Sequence, residues 1–340
     1  MKIKTYKNLI YLIFVILISV FCNQYYGYIG ILPIDSFLIF NSGFDFLNGY
    51  LPFKDYWTIK EPFIDFLQAI FFKIFGVSWF SYVFHASVFN CIISVSTYLT
   101  LRYFSLNQEV SFFYSLCVAI LTYPTAGTPF SDHHALILCI VSLYTFFIAL
   151  RSNNKFLWLI LPFLLGLSFL SKQAPTIYIT LIITFVSLIY FIVLKKKENF
   201  IYAVIGLLFF LILLLFCLYL GDIKFQDFLI QYLLFPQSLG TSRLDWVFPL
   251  EFQRIVLRFK LHYISVSIIF YILFKDIFLR KIKIVLSEKL IFISILLSCV
   301  LFIVHQLMTI NAIFIYCLIP IFSGLSHTFS SIYLKNKFIN

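Results

Sequence analysis

Runs of roughly 20 apolar residues recur from one end of the chain to the other, broken by short polar joins. A run of that length in lipid satisfies its backbone polar groups only by coiling into a helix. This one feature excludes most folds. The runs lack strand alternation, which sets aside an outer-membrane barrel. At 11% charged and 62% hydrophobic residues, with mean hydropathy +1.00, the chain falls far below the roughly 25% charge of a soluble domain. The net charge of +11 therefore does not indicate a nucleic-acid partner, because lysines and arginines in such chains chiefly set topology.

The fold class read from this pattern is an all-α polytopic membrane protein of about ten transmembrane helices, forming a single membrane-embedded domain over 1–340. The spans fall at 9–22, 79–101, 109–124, 134–150, 156–171, 175–194, 200–220, 259–279, 289–305 and 309–327. Lys2, Lys4 and Lys7 precede the first span and no small-residue cleavage site follows it, which predicts an uncleaved signal anchor with a cytoplasmic N-terminus. The basic joins at 151–155 and 195–199 then face the cytoplasm, as do both termini. The joins at 124–134 and 172–175 face outward, with two long outer loops at 25–78 and 221–257.

Each long loop contains a predicted amphipathic interfacial helix. In the first, Phe63, Ile64, Leu67, Ile70, Phe71 and Ile74 follow helical spacing and Gly76 ends the run. In the fourth outer loop the candidate is FQDFLIQYLLF, 225–235. This topology puts sixteen of the 25 Lys and Arg inside, and ten of the 14 acids outside. Only the first asymmetry follows from a topology rule. The inner loops are too short for a nucleotide-binding domain, and the seven cysteines lie in apolar runs without metal-site spacing.

The outer acids concentrate in 33–76, which holds Asp35, Asp45, Asp55, Glu61 and Asp65 beside Lys54, Lys60 and Lys73. The separate joins carrying Asp132-His133-His134 and Lys172-Gln173 reach the same face. Such a set suits a sugar carried on a lipid phosphate. One carboxylate accepts the proton of the attacking hydroxyl, and cations hold the departing phosphate. Asp35 fits the first role, and Lys60 and Lys172 the second. Other readings stand beside these. Asp35 and Asp132 also suit helix caps, Asp55 an ordinary turn, Lys60 a snorkelling position, and Arg243 a solvated loop. Asp45, Glu61 and Asp65 read as surface or helix-end residues. His85, Asn90 and His305 read as interhelical hydrogen-bond partners.

The first loop resembles the integral-membrane glycosyltransferases of the GT-C fold, in the branch containing protein mannosyltransferases, aminoarabinose transferases and lipopolysaccharide glycosyltransferases. The resemblance rests on Asp35-Ser36, on Gly49-Tyr50-Leu51-Pro52-Phe53-Lys54-Asp55-Tyr56-Trp57, on Lys60-Glu61-Pro62, and on GLSFLSKQAP at 166–175. Ser36 stands where that branch commonly has a second acid. The resemblance implies Asp35 as the catalytic carboxylate, Asp55 as a second acid and Lys172 as a phosphate contact. The remaining candidate substrate residues are Lys60, Gln173, Asp132, His133 and Arg243, and a divalent metal would draw on Asp35, Asp132 and His133.

The function expected is inverting transfer of a sugar from a polyprenyl-phosphate donor to a lipid, glycan or protein acceptor, on the outer face of a bacterial inner membrane. It needs no nucleotide or redox cofactor. An O-antigen polymerase or a lipid-linked-oligosaccharide transporter is the alternative enzyme or transport reading, and a structural envelope subunit the non-enzymatic one.

Overall fold

The computed structural model describes residues 2–30, 35–124, 126–244, 247, 251–310 and 312–334, with the side chains of 2–5, 35, 36, 241, 242 and 244 outside that description. The protein is all-α. The helices are α1 (Lys2–Ile29), α2 (Asp35–Leu47), α3 (Pro62–Phe75), α4 (Trp79–Tyr103), α5 (Gln108–Leu121), α6 (Ser131–Ser152) and α7 (Lys155–Ser171), followed by α8 (Gln173–Val193) and α9 (Lys197–Leu220). Beyond these come α10 (Phe225–Leu229), α11 (Phe235–Leu244), α12 (Lys260–Ile277), α13 (Leu286–Met308) and α14 (Leu318–Tyr333). Nine of the ten segments expected to span are helical over most of their length; the tenth, expected at 309–327, has a 3-10 turn at Ile313–Ile315 and is α-helical only from Leu318. Among the described residues seven helices are long and apolar enough to cross a membrane: α1, α4, α6, α8, α9, α13 and 313–333, which includes α14. The remaining three, α5, α7 and α12, are 14, 17 and 18 residues long.

The core lies where α4, α6, α7, α8, α12, α13 and α14 meet. Trp158, Phe104, Phe146, Phe147 and Phe292 are fully buried there. Helix α9 packs on α7, and its outer side shows Ile212, Phe216 and Tyr219 to the surroundings. An apolar face of that extent is comfortable only in lipid. Close helix approach depends on small residues: a Cβ added at Gly206 of α9 would lie 2.0 Å from the Leu159 carbonyl oxygen of α7. All seven cysteines are free, and Cys139, Cys299 and Cys317 are buried.

Both segments expected to form amphipathic helices in the long loops are helical, though α3 is oriented in an unexpected way. It starts with Pro62 at its first turn, where a missing N–H costs nothing, and stops at Gly76, whose φ of 79° favours glycine. Its buried face is Ile64, Asp65, Gln68, Ala69 and Phe72, while Phe66, Ile74 and Phe75 are exposed. Two polar side chains therefore point into the protein. The stretch 225–244 is helical throughout, with a wider π turn at Ile230–Leu234 between α10 and α11.

Candidate active site

The joins at one end of the bundle are tied together by side chains that pair with backbone. The Gln173 amide donates to the carbonyl oxygens of Ile59 and Tyr232, both at 2.8 Å. Gln231 accepts from the Thr58 N–H at 3.1 Å and donates to the Phe53 carbonyl at 3.0 Å. Lys54 reaches Asp222 at 3.2 Å. These contacts clamp the first loop between α8 and the 221–244 segment.

Asp55 shapes the first loop. Its Oδ2 accepts the Leu51 N–H at 2.7 Å while its own N–H donates to the Leu51 carbonyl at 2.9 Å. The resulting turn puts Phe53 at a φ of 69° and buries its ring 5.2 Å from Phe228 and 5.7 Å from Tyr232. Asp55 itself is exposed, and its described bonds stay within this turn.

A charged cluster sits beside the clamp. Lys172, in the break between α7 and α8, lies 2.5 Å from Asp132 Oδ2 in the first turn of α6. The other carboxylate oxygen of Asp132 is 3.8 Å from His305 Nε2 and has no hydrogen-bond partner. Lys60 lies 3.6 Å from the Glu61 carboxylate. Two cavities meet at this cluster. One of about 270 Å³ is lined by Lys60, Lys172, Gln173, Arg243, His305 and Tyr178. A smaller cleft of about 120 Å³ is lined by Lys60, Glu61, Ser131 and Asp132, with Leu38 and Ile39 of α2. Lys60 borders both.

Four of the candidate substrate residues, Lys60, Lys172, Gln173 and Arg243, thus line one cavity, and Asp132 lines the adjoining cleft. Gln173 spends its amide on the loop clamp. His133 is fully buried among the rings of Tyr123 and Phe314, at 4.3 Å and 4.8 Å, and lines neither cavity. Asp35 opens α2, and Leu38 and Ile39, three and four residues on, line the cleft; the Asp35 side chain lies outside the description. Among the described residues no three His, Cys, Asp or Glu groups gather as metal ligands. Of the proposed metal set, Asp132 and His133 do not fit such a site by themselves.

Glu61 and Asp65 do sit at the helix end expected for them, but they are buried, at 6% and 1% exposure. Glu61 holds a φ of 66°, a left-handed conformation that costs a non-glycine residue about 1 kcal/mol. Burial pushes its carboxyl above the usual range, with the Lys60 ammonium pulling back in part. Asp65 is raised further, by burial and then by the Glu61 charge, although Ser42 and Tyr56 donate to it at 2.5 Å and 3.4 Å. The sequence signal was available. Glu61 and Asp65 are four residues apart, hence on one helix face, and Gln68 continues that polar face.

The fold and this polar end define a polytopic membrane protein with a cation-lined cavity where several joins converge. Residues 60–219 match the model of the dolichyl-phosphate-mannose-protein mannosyltransferase family, a family of the GT-C type. The matched stretch begins at Lys60 and includes Glu61, Asp132 and Lys172. A comparison with curated proteins gave no match.

Proposed function

We propose that this chain is a membrane glycosyltransferase that moves a sugar from a polyprenyl-phosphate donor to a hydroxyl acceptor with inversion at the anomeric carbon. The observation that carries the reading is the convergence of Lys60, Lys172 and Arg243 on one cavity of about 270 Å³, with Asp132 and Glu61 in the adjoining cleft. The family match over 60–219 supports the donor class. In this reading the donor phosphate lies among the cations and the sugar extends toward the cleft. The acceptor oxygen forms the new bond to the anomeric carbon as the carbon–oxygen bond to phosphate breaks. Asp35, at the start of the helix that borders the cleft, takes the acceptor's proton. The bond electrons leave with the phosphate, whose added charge Lys60 and Lys172 neutralise. Glu61 holds Lys60 in place.

The site faces the outer side of a bacterial inner membrane, as the distribution of lysines and arginines among the joins indicates. Lipid-linked sugars rather than nucleotide sugars are presented there. Charges gathered at one end of the bundle, rather than along its interior, favour transfer over transport of a large glycan.

The test is transfer from a synthetic polyprenyl-phosphate sugar by purified protein, with Asp35→Asn and Asp55→Asn in parallel. Asp35→Asn should lose roughly 10²–10⁴-fold in kcat while still folding. Asp55→Asn should lose less, through a loosened turn. Full activity in folded Asp35→Asn removes the assigned base.

A further inference from the structure

Behind the cleft lies a buried row of side chains that the transfer reading leaves unused. The Gln68 amide of α3 is 2.8 Å from His85 Nδ1 of α4. His85 Nε2 is 3.2 Å from His134 Nε2 of α6, and His134 Nδ1 is 3.0 Å from the Phe130 carbonyl oxygen. All three side chains are fully buried. Phe71 stacks on the His85 ring at 4.8 Å and Phe89 lies 4.0 Å from the His134 ring.

Proton placement follows from the two ends. A carbonyl oxygen only accepts, so His134 carries its proton on Nδ1 and offers a lone pair at Nε2. If the Gln68 oxygen faced His85, His85 would likewise hold its proton on Nδ1. Two lone pairs would then face each other at 3.2 Å, and the Gln68 nitrogen would stay buried without a partner. With the amide turned, its nitrogen donates to His85 Nδ1, His85 Nε2–H donates to His134, and His134 Nδ1–H donates to Phe130. One amide atom stays unpartnered in either case. Only the turned amide settles the histidine contact without placing a charge in an aromatic pocket.

We propose that Gln68, His85 and His134 form a neutral, one-way hydrogen-bond chain that positions the two carboxylate-bearing elements of the site. The chain fixes α3, which Glu61 caps, to the start of α6, where Phe130 and His134 flank Asp132. These are positioning residues, which act through Glu61 and Asp132. The kinetic part of this inference rests on the transfer reading; the proton arrangement does not.

Two measurements test it. The first is ¹⁵N NMR of histidine-labelled protein in bilayers. It should show neutral His85 with its proton on Nε2 and neutral His134 with its proton on Nδ1. Gln68→Glu should bind one extra proton, either on the histidine pair beside a carboxylate, seen as an imidazolium signal, or on the carboxyl, which then donates to His85 in the amide's place and is seen in the ¹³C carboxyl shift. A wild-type His85 protonated on Nδ1, or a Gln68→Glu protein with an ionised carboxylate at position 68 beside two neutral histidines, overturns the chain. The second measurement is kinetic. His85→Phe keeps a ring but ends the chain, and should lose about 10–100-fold in kcat with little change in donor KM, the cost of misplacing reacting groups by about 1 Å. His85→Gln, which can accept and donate in the same row, should recover most of that loss. Equal activity of His85→Phe and wild type overturns the positioning role. Should wild-type protein transfer no sugar, the NMR result alone decides the proton arrangement, so failure of the transfer reading and failure of the chain remain separable.

Discussion

At the scale of the residue, Glu61 combines an unfavourable backbone angle with a buried carboxyl, two costs that nothing in its helix-capping role requires. Its folded-state affinity for a proton is raised by burial. The unfolded value is about 4.3. Below about pH 4 the group is protonated in both states and the fold bears no penalty for it; as pH rises through the raised folded value, stability is lost. Glu61→Gln should therefore melt at a higher temperature than wild type near neutral pH, with the gap closing toward pH 4. Thermal unfolding across that range decides the sign, and a wild type that gains on Glu61→Gln as pH rises would contradict it. Asp132 and Lys172 behave differently. Breaking a mostly buried ion pair by removing one partner costs about 3–5 kcal/mol, because the other charge is stranded. Asp132→Asn and Lys172→Met should each destabilise, and the double variant should be more stable than the Lys172→Met single. A double variant as unstable as the sum of the singles would mean the pair is uncoupled.

At the scale of the element, the first loop is held by glutamines from distant parts of the chain. Gln173→Ala would leave the Ile59 and Tyr232 carbonyls without their donor, at about 1–3 kcal/mol for buried groups. The cavity wall should loosen, seen as a higher donor KM and faster proteolysis within 221–257. An unchanged KM would show that the clamp does not shape the cavity. This clamp was not legible in the sequence. Hydrophobic period placed the helices, and Gly76 marked the end of α3, because those signals are local. Gln173 read as a substrate residue because its charged neighbour Lys172 suggested one. Its actual partners are 114 and 59 residues away, a separation that no local pattern encodes. For Asp65 a local signal existed, its four-residue spacing from Glu61, but the partners that bury it were not encoded locally. Helical period assigned α3 an apolar face toward lipid, whereas Tyr56 and Ser42 make a buried seat for the carboxyl.

At the scale of the whole molecule, the segment order was readable and the convergence was partly so. Lysine in a short join between apolar helices signals a need for a partner, and Asp132 is that partner. The proposed topology places Asp222 and the clamp on the outer side, and the joins near Lys196 and Arg280 in the cytoplasm. Cysteines introduced at 222, 196 and 280 should react with an impermeant thiol reagent in intact cells at 222 alone, once accessible native cysteines such as Cys217 are replaced. Labelling at 196 or 280 would invert the arrangement. The central claim, that the cation-lined cavity discharges a sugar from a lipid phosphate, has a more direct test. Purified protein in lipid nanodiscs is given polyprenyl-phosphate sugars with a panel of hydroxyl acceptors, and both polyprenyl phosphate and the product's anomeric configuration are followed. The account predicts release of polyprenyl phosphate with inversion, slowed roughly 10²–10⁴-fold in Asp35→Asn. A retained configuration, or a folded protein that leaves every donor intact, would contradict it.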